Sequence, residues 1–138
     1  MVKIEKVWFD ACRIYLLTNA GETFSRPLEA FPVLKEASES ERLDFKIGRF
    51  GDDIRWEQLD EDVHLSSFYE QVEPNPDNEV ARIFRRFPQI NVSEMAKFIG
   101  INKSLLAKYI YGIKKPSSKR MQEIKQAFHT MGQELIAI

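Results

Sequence analysis

Lys103, Ser104 and Lys108 are the side chains whose type and spacing could do recognition chemistry. Lysine donates to guanine O6 and N7 or to a phosphate, and serine can donate or accept at either kind of partner. All three fall on the outward side of a short helical pattern whose apolar positions are Leu105, Leu106 and Tyr109. Asn102 stands where a capping residue is needed, and Gly112 closes the helix. A preceding helix places Met95, Phe98 and Ile99 on one face, and Gly100 ends it. Two short helices about a glycine turn, with lysines outward on the second, form the layout that pushes a helix N-terminus into a major groove. The same pattern fits a packed helical hairpin with a solvated face, so the residues alone leave both readings open.

No other constellation points to chemistry. His64 and His129 lie far apart in sequence with no second ligand at metal spacing. Asp52, Asp53, Asp60, Glu61 and Asp62 lack the ordered spacing of a calcium loop and read as solvated turns. Cys12 is the single cysteine, which excludes an intrachain disulfide and a thiolate zinc cluster, and no paired histidine activates it. No glycine-rich phosphate loop follows a strand. Trp8 and Trp56 read as core or interface anchors, and Tyr109 as a seam residue. We therefore expect no catalytic residues, no metal site, no cofactor and no enzymatic activity.

The formal charge of −1 conceals a partition. Residues 1–74 hold nine Lys/Arg against sixteen Asp/Glu, a net −7, whereas residues 75–138 hold eleven against five, a net +6. An acidic module joined to a basic, anion-binding one is the reading of such an asymmetry. The first residues carry charge without a following apolar region, and runs such as Ile14 to Leu17 are too short to span a bilayer. A cytoplasmic protein with no membrane partner is expected.

Three parts follow: an acidic domain over residues 1–72, a short stiff linker over 73–77 containing Pro74 and Pro76, and a helical domain over 78–138. In the first, Val2 and Ile4 alternate out of phase with Val7 and Phe9, which predicts a bulge or a break near Glu5-Lys6. Asn19-Ala20-Gly21 predicts a hairpin turn, with Glu22 to Arg26 returning. Pro27 to Leu34 predicts a short helix burying Leu28, Phe31 and Leu34 and limited by Pro32. Ser38 to Glu41 reads as a solvated loop or helical turn, Leu43 to Arg49 and Ile54 to Trp56 as strands, and Glu57 to Tyr69 as a segment covering the sheet. In the helical domain, Asp77 or Asn78 caps a helix carrying Val80, Ile83, Phe84 and Phe87. Asn91 with Glu94 reads as a capping box. Ser117 caps a last helix that buries Met121, Ile124, Ala127 and Phe128 and ends near Gly132. Glu134 to Ile138 reads as a further helix, an added strand or a dimer contact.

The hairpin at Asn19 to Gly21, the Leu28 to Leu34 segment, Phe45 to Ile47 leading to Ile54 to Trp56, and Asp60 to Asp62 with Phe68-Tyr69 resemble a bacterial domain-of-unknown-function family of small α+β units. That resemblance implies no activity. Met95-Ala96, Ile99 to Asn102, Leu106, Tyr109, Gly112 and Lys115 to Ser117 resemble the Cro/repressor-type (XRE-like) helix-turn-helix family. It implies an all-α, lambda-repressor-like domain behind the small, mostly antiparallel sheet, an α+β chain as a whole. Two departures stand out. Val92 replaces a polar residue frequent there, and Ile110 and Tyr111 replace charged ones.

Transferred by position, the resemblance implies base contacts from Lys103, Ser104, Ala107 and Lys108, with Leu105 available to a thymine methyl. It implies phosphate contacts from Asn102, Lys114, Lys115, Ser118 and Lys119. Double-stranded DNA is then the partner, a homodimer the expected state, and transcriptional regulation the expected function. The competing expectation is an antitoxin-like molecule, or another interaction module, whose acidic residues 1–72 hold a protein partner.

Overall fold

Two alternating apolar runs of opposite phase can share one core only if the strand carries an extra residue between them. In the computed structural model, which describes residues 1 to 138, β1 (Ile4–Phe9), β2 (Arg13–Thr18) and β3 (Thr23–Pro27) form an antiparallel sheet in that order. The β1 register on β2 shifts between Ile4 and Lys6, where the bulge was expected. Ile4 and Val7 can therefore both be buried. Gly21 adopts φ 81°, which a glycine tolerates without steric cost, and the Thr18 N–H donates to Glu22 O across the turn.

Arg26 departs from any simple pattern. It pairs with Ile14 in the β3 register and points inward with it, at 1% exposure. Its Nη1 donates to Glu70 O (3.0 Å) and Val72 O (2.8 Å), while Nε has no partner. Arg13, on the opposite face, forks onto Glu73 at 2.6 and 3.3 Å. The two arginines thus tie down residues 70–73, the last stretch before Pro74.

Pro27 to Leu34 does not form one helix. A 3-10 turn at Leu28–Ala30 precedes α1 (Pro32–Glu36), with Pro32 at the first helical position, where a missing N–H costs nothing. Leu28, Phe31 and Leu34 are buried as expected. Ser38 and Glu41 exchange both bonds of a capping box and start α2 (Glu39–Leu43). That helix takes Leu43 out of the expected strand and into solvent, leaving only β4 (Lys46–Ile47). β4, β5 (Asp53–Trp56) and β6 (Glu61–His64) make a second antiparallel sheet in that order. The stretch expected to cover a sheet instead supplies β6 and a 3-10 turn at Leu65–Tyr69 that buries Leu65 and Phe68. Trp56 is fully buried and its Nε1 donates to Arg42 O at 2.8 Å.

The chain divides into two compact units, Met1–Pro74 and Asn75–Ile138. Six α-helices and two small sheets make it an α+β protein, with the sheets in the first unit and α3 (Glu79–Arg86), α4 (Val92–Ile99), α5 (Lys103–Tyr111) and α6 (Ser118–Ile136) in the second. Val80, Phe84, Met95, Ala96, Leu106, Tyr109, Ile124 and Ala127 form the helical core. Phe87, expected on the core face of α3, caps its C-terminus and is exposed, because Pro88 ends the helix there. Residues 134–136 belong to α6, which runs through Gly132 without a break. No helix is long and apolar enough to cross a membrane.

Candidate nucleic-acid interface

Caps and glycines set where the two central helices begin and end. Asn91 Oδ1 accepts from the Glu94 N–H (2.9 Å) and starts α4. The expected box is only half made, because the Glu94 carboxylate faces Lys97 Nζ at 3.3 Å instead of returning to Asn91. Gly100 takes φ 90°, and the Ile101 N–H reaches back to Ala96 O (3.0 Å), closing α4 in a Schellman-type turn. Asn102 Oδ1 then accepts from the Ser104 N–H (2.7 Å) and starts α5. Gly112 repeats the device at φ 77°, with the Ile113 N–H on Lys108 O (3.0 Å). Ser117 Oγ accepts from the Arg120 N–H (3.1 Å) to open α6.

Ala96 is 1% exposed, and Leu106 and Tyr109 are buried with it, so the small side chain sits in the helix-helix contact. Ile101 packs against the same core. The face of α5 turned away from that core carries Lys103, exposed, with Ser104 and Lys108, half-buried. One proposed base contact does not share this face. Ala107 is 6% exposed, buried among the helices, and a methyl group there cannot reach a groove. Leu105 is half-buried, with part of its side chain packed on the core. Tyr111, seven residues after Ser104 and three after Lys108, shares their side of the helix by its period. In the sequence Tyr111 stands out only for its lack of charge, and the i, i+4, i+7 spacing from Ser104 is the signal for its placement.

Asn102, Lys114, Lys115, Ser118 and Lys119 are all exposed. The Asn102 side chain is committed to its cap, so only its outer surface remains for a phosphate. Lys114, Lys115 and Ser118 line one pocket of about 500 Å³ together with Asn75, Asn78 and Gly112, and neither Lys103 nor Lys108 reaches it. The candidate residues are therefore divided: Lys103, Ser104 and Lys108 on α5, Lys114, Lys115 and Ser118 between α5 and the start of α6, and Lys119 in a separate pocket with Phe98 and Ile99. Four acidic side chains of this unit pair with bases off α5: Asp77 with Arg82 (2.9 Å), Glu79 with Lys125 (2.6 Å), Glu94 with Lys97 (3.3 Å) and Glu123 with Arg120 (4.0 Å).

The C-terminus of α5 is completed from outside the helix. The Asn75 N–H donates to Tyr111 O (2.8 Å), and Asn78 Nδ2 donates to Ile110 O (3.1 Å) and Asn75 O (2.8 Å). Asn78 Oδ1 meanwhile accepts from the Ala81 N–H (2.9 Å), capping α3 with the same side chain. In the first unit, Asp10 accepts from Tyr15 Oη and from the Cys12 and Arg13 N–H groups, which hold its carboxyl below the usual carboxylate range. His64 accepts from the Ser66 N–H and stands 3.5 Å from Asp52, an arrangement that serves the start of a 3-10 turn. No group of three or more His, Cys, Asp or Glu side chains gathers in metal-binding geometry.

Among known proteins, a family described as a protein of unknown function (DUF2442) matches residues 4–74. No curated protein matches the chain. A solved structure from Nitrosomonas europaea ATCC 19718, the protein NE0471, provisionally designated DNA-binding, is similar at 11% identity. The match covers 90% of this chain and 84% of that one, with a TM-score of 0.37. A likeness of that size carries no inference about fold or function.

Proposed function

The chain belongs to the DUF2442 family through residues 4–74, and from that premise we propose that its second unit is a Cro/repressor-type helix-turn-helix that binds duplex DNA sequence-specifically. The observation that carries this reading is α5: a helix started by Asn102 after a left-handed Gly100, seated on α4 through Leu106 and Tyr109, with Lys103, Ser104 and Lys108 on its outer side. Lys103 and Ser104, at the helix N-terminus, are base readers, and Lys108 serves the next turn. Lys114, Lys115, Ser118 and Lys119 are phosphate contacts, which give affinity and register without sequence information. Asn102 adds at most a backbone-edge contact. The net +6 of residues 75–138 supplies the field that draws a polyanion.

The protein acts in this reading as a homodimeric transcriptional regulator, since one such module buries too little surface for high specificity and paired half-sites supply the rest. It is a binding protein and not an enzyme, and needs no cofactor. The net −7 of residues 1–74 favours a second role alongside the first, in which the DUF2442 unit holds a basic protein partner, as in an antitoxin.

Selection of bound sequences from a random duplex pool tests the main reading: a defined motif is expected. Replacing Lys103 and Lys108 together by alanine is expected to abolish the motif while the fold melts as before. Replacing Lys114 or Lys115, placed as phosphate contacts, is expected instead to keep the motif and to lower the salt slope by about 0.9 per lost contact. A wild-type protein that enriches no sequence would exclude the assignment and leave only the protein-binding role.

A further inference from the structure

An α-helix leaves its last four carbonyls without intrahelical partners, and in a packed protein each must be satisfied by something. For α5 the accounting is complete. Lys108 O takes the Ile113 N–H and Tyr109 O takes the Gly112 N–H, both within the local turn. Ile110 O and Tyr111 O are satisfied by Asn78 and Asn75, which lie more than thirty positions earlier in the chain. The segment making these contacts is itself held: Asn75 Oδ1 accepts from the Asp77 N–H, Arg85 Nη1 donates to Pro76 O at 2.9 Å, and Arg82 pairs with Asp77. It also fits closely. A Cβ on Gly112 would meet Asn75 O at 2.1 Å.

We propose that Asn75 and Asn78 are positioning residues for DNA reading, clamping the C-terminal turn of α5 so that Lys108 and Tyr111 are presented in one fixed geometry. The proposal rests on the DNA-binding reading of α5. Both act in this role through α5, by the bonds to Ile110 O and Tyr111 O, whatever their own exposure to DNA. Their effect is confined to one end of the helix, because Asn102 fixes the other end, where Lys103 and Ser104 lie, independently. Contacts to base edges need side chains held to within a fraction of an ångström by their supporting shell. A freed last turn therefore blurs the base preference set by Lys108 and leaves that set by Lys103 and Ser104.

The side-chain chemistry of Asn78 allows a clean test, because its two halves do different work. Asn78→Ser keeps an oxygen to cap α3 but has no group that reaches Ile110 O, and Asn78→Asp keeps the cap while removing both Nδ2–H donors. Both variants are made in the full chain. Amide exchange is read at Gly112 and Ile113, with Ala81 and Arg82 as the control for α3. Operator preference is read by selection from a random duplex pool. Exchange at Gly112 and Ile113 is expected to speed up about five- to tenfold, the equivalent of one lost hydrogen bond, with Ala81 and Arg82 unchanged. The selected motif is expected to lose base preference at one end of each half-site only. Variants that select the wild-type motif in full would overturn the clamp while leaving DNA reading intact. Uniform loss across the motif would overturn it too, in favour of a general folding role. A wild-type protein that selects nothing would instead remove the DNA reading itself, an outcome distinct from both.

Discussion

Gly100 and Gly112 end consecutive helices with the same backbone conformation, and replacing each by alanine separates two physical costs. Both stand at strongly positive φ, 90° and 77°, where an alanine Cβ meets its own carbonyl at a cost of about 1 kcal/mol. Around Gly100 that is the whole cost, since nothing lies within 4 Å of an added Cβ. At Gly112 the Cβ would stand 2.1 Å from Asn75 O and 2.9 Å from the Asn75 C and N atoms. These are backbone atoms, so residue 75 must move, and the bond from its N–H to Tyr111 O goes with it. Leaving that carbonyl without a partner adds about 1–3 kcal/mol. Gly112→Ala should therefore destabilise the helical unit by about 3 kcal/mol against about 1 kcal/mol for Gly100→Ala. For a unit of this size that corresponds to melting points lowered by about 15 °C and about 5 °C. Urea unfolding of both variants in the full chain, followed by the helical circular-dichroism signal, gives the comparison. Equal losses would refute the claim that residue 75 is held firmly against α5.

Other perturbations address the first unit. Arg26→Ala removes a buried cation together with the donor to Glu70 O and Val72 O, and should cost about 2–4 kcal/mol while opening residues 70–74 to limited proteolysis. A proteolysis pattern unchanged from wild type would show that the segment is held by other contacts. Asp10 has a depressed pKa, chiefly from the Tyr15 hydroxyl and then the Cys12 and Arg13 N–H groups. Its contribution is present above the unfolded carboxylate pKa, near 4, and is lost as the pH falls through the lower folded value. Asp10→Asn should therefore lower stability at neutral pH and narrow its difference from wild type in strong acid, measured by urea unfolding at several pH values. Glu73, depressed by its bonds to Arg13, follows the same sign, so Glu73→Gln should act in the same acidic window. A difference from wild type that grows in acid would contradict both assignments.

Local chemistry explains what could be read from the chain in advance. Asn78, Asn91, Asn102 and Ser117 each cap the helix that follows, because a cap needs only an oxygen two or three residues ahead of an N–H. The phase change between Ile4 and Val7 likewise announced its bulge. What escaped detection depends on distant partners. Arg26 sits among alternating residues that give no hint of carbonyls at positions 70 and 72 waiting for it. β6 has Val63 as its one buried residue amid acids and a histidine, so no alternation marked it as a strand. Ala107 faces the groove only by the family resemblance, which carries no account of burial, and in this chain it is 6% exposed. The bond from Asn75 to α5 runs through its backbone N–H, which no side-chain pattern encodes.

The bond from Asn75 to Tyr111 also sets where this molecule can be cut. Helix periodicity alone suggests dividing it at residue 78, where the α3 cap begins. A fragment starting there would still contain every helix of the second unit and the whole helical core, and would pass a check of helical content. It would also lack the peptide that closes the far end of α5, leaving Tyr111 O bare and the groove beside Gly112 open. Under the proposed DNA-binding role, such a fragment folds yet reads DNA poorly, and the missing activity would be blamed on the absent DUF2442 unit. Beginning at Asn75 or earlier, with the three residues before the cap retained, keeps loss of the other unit separate from loss of the clamp.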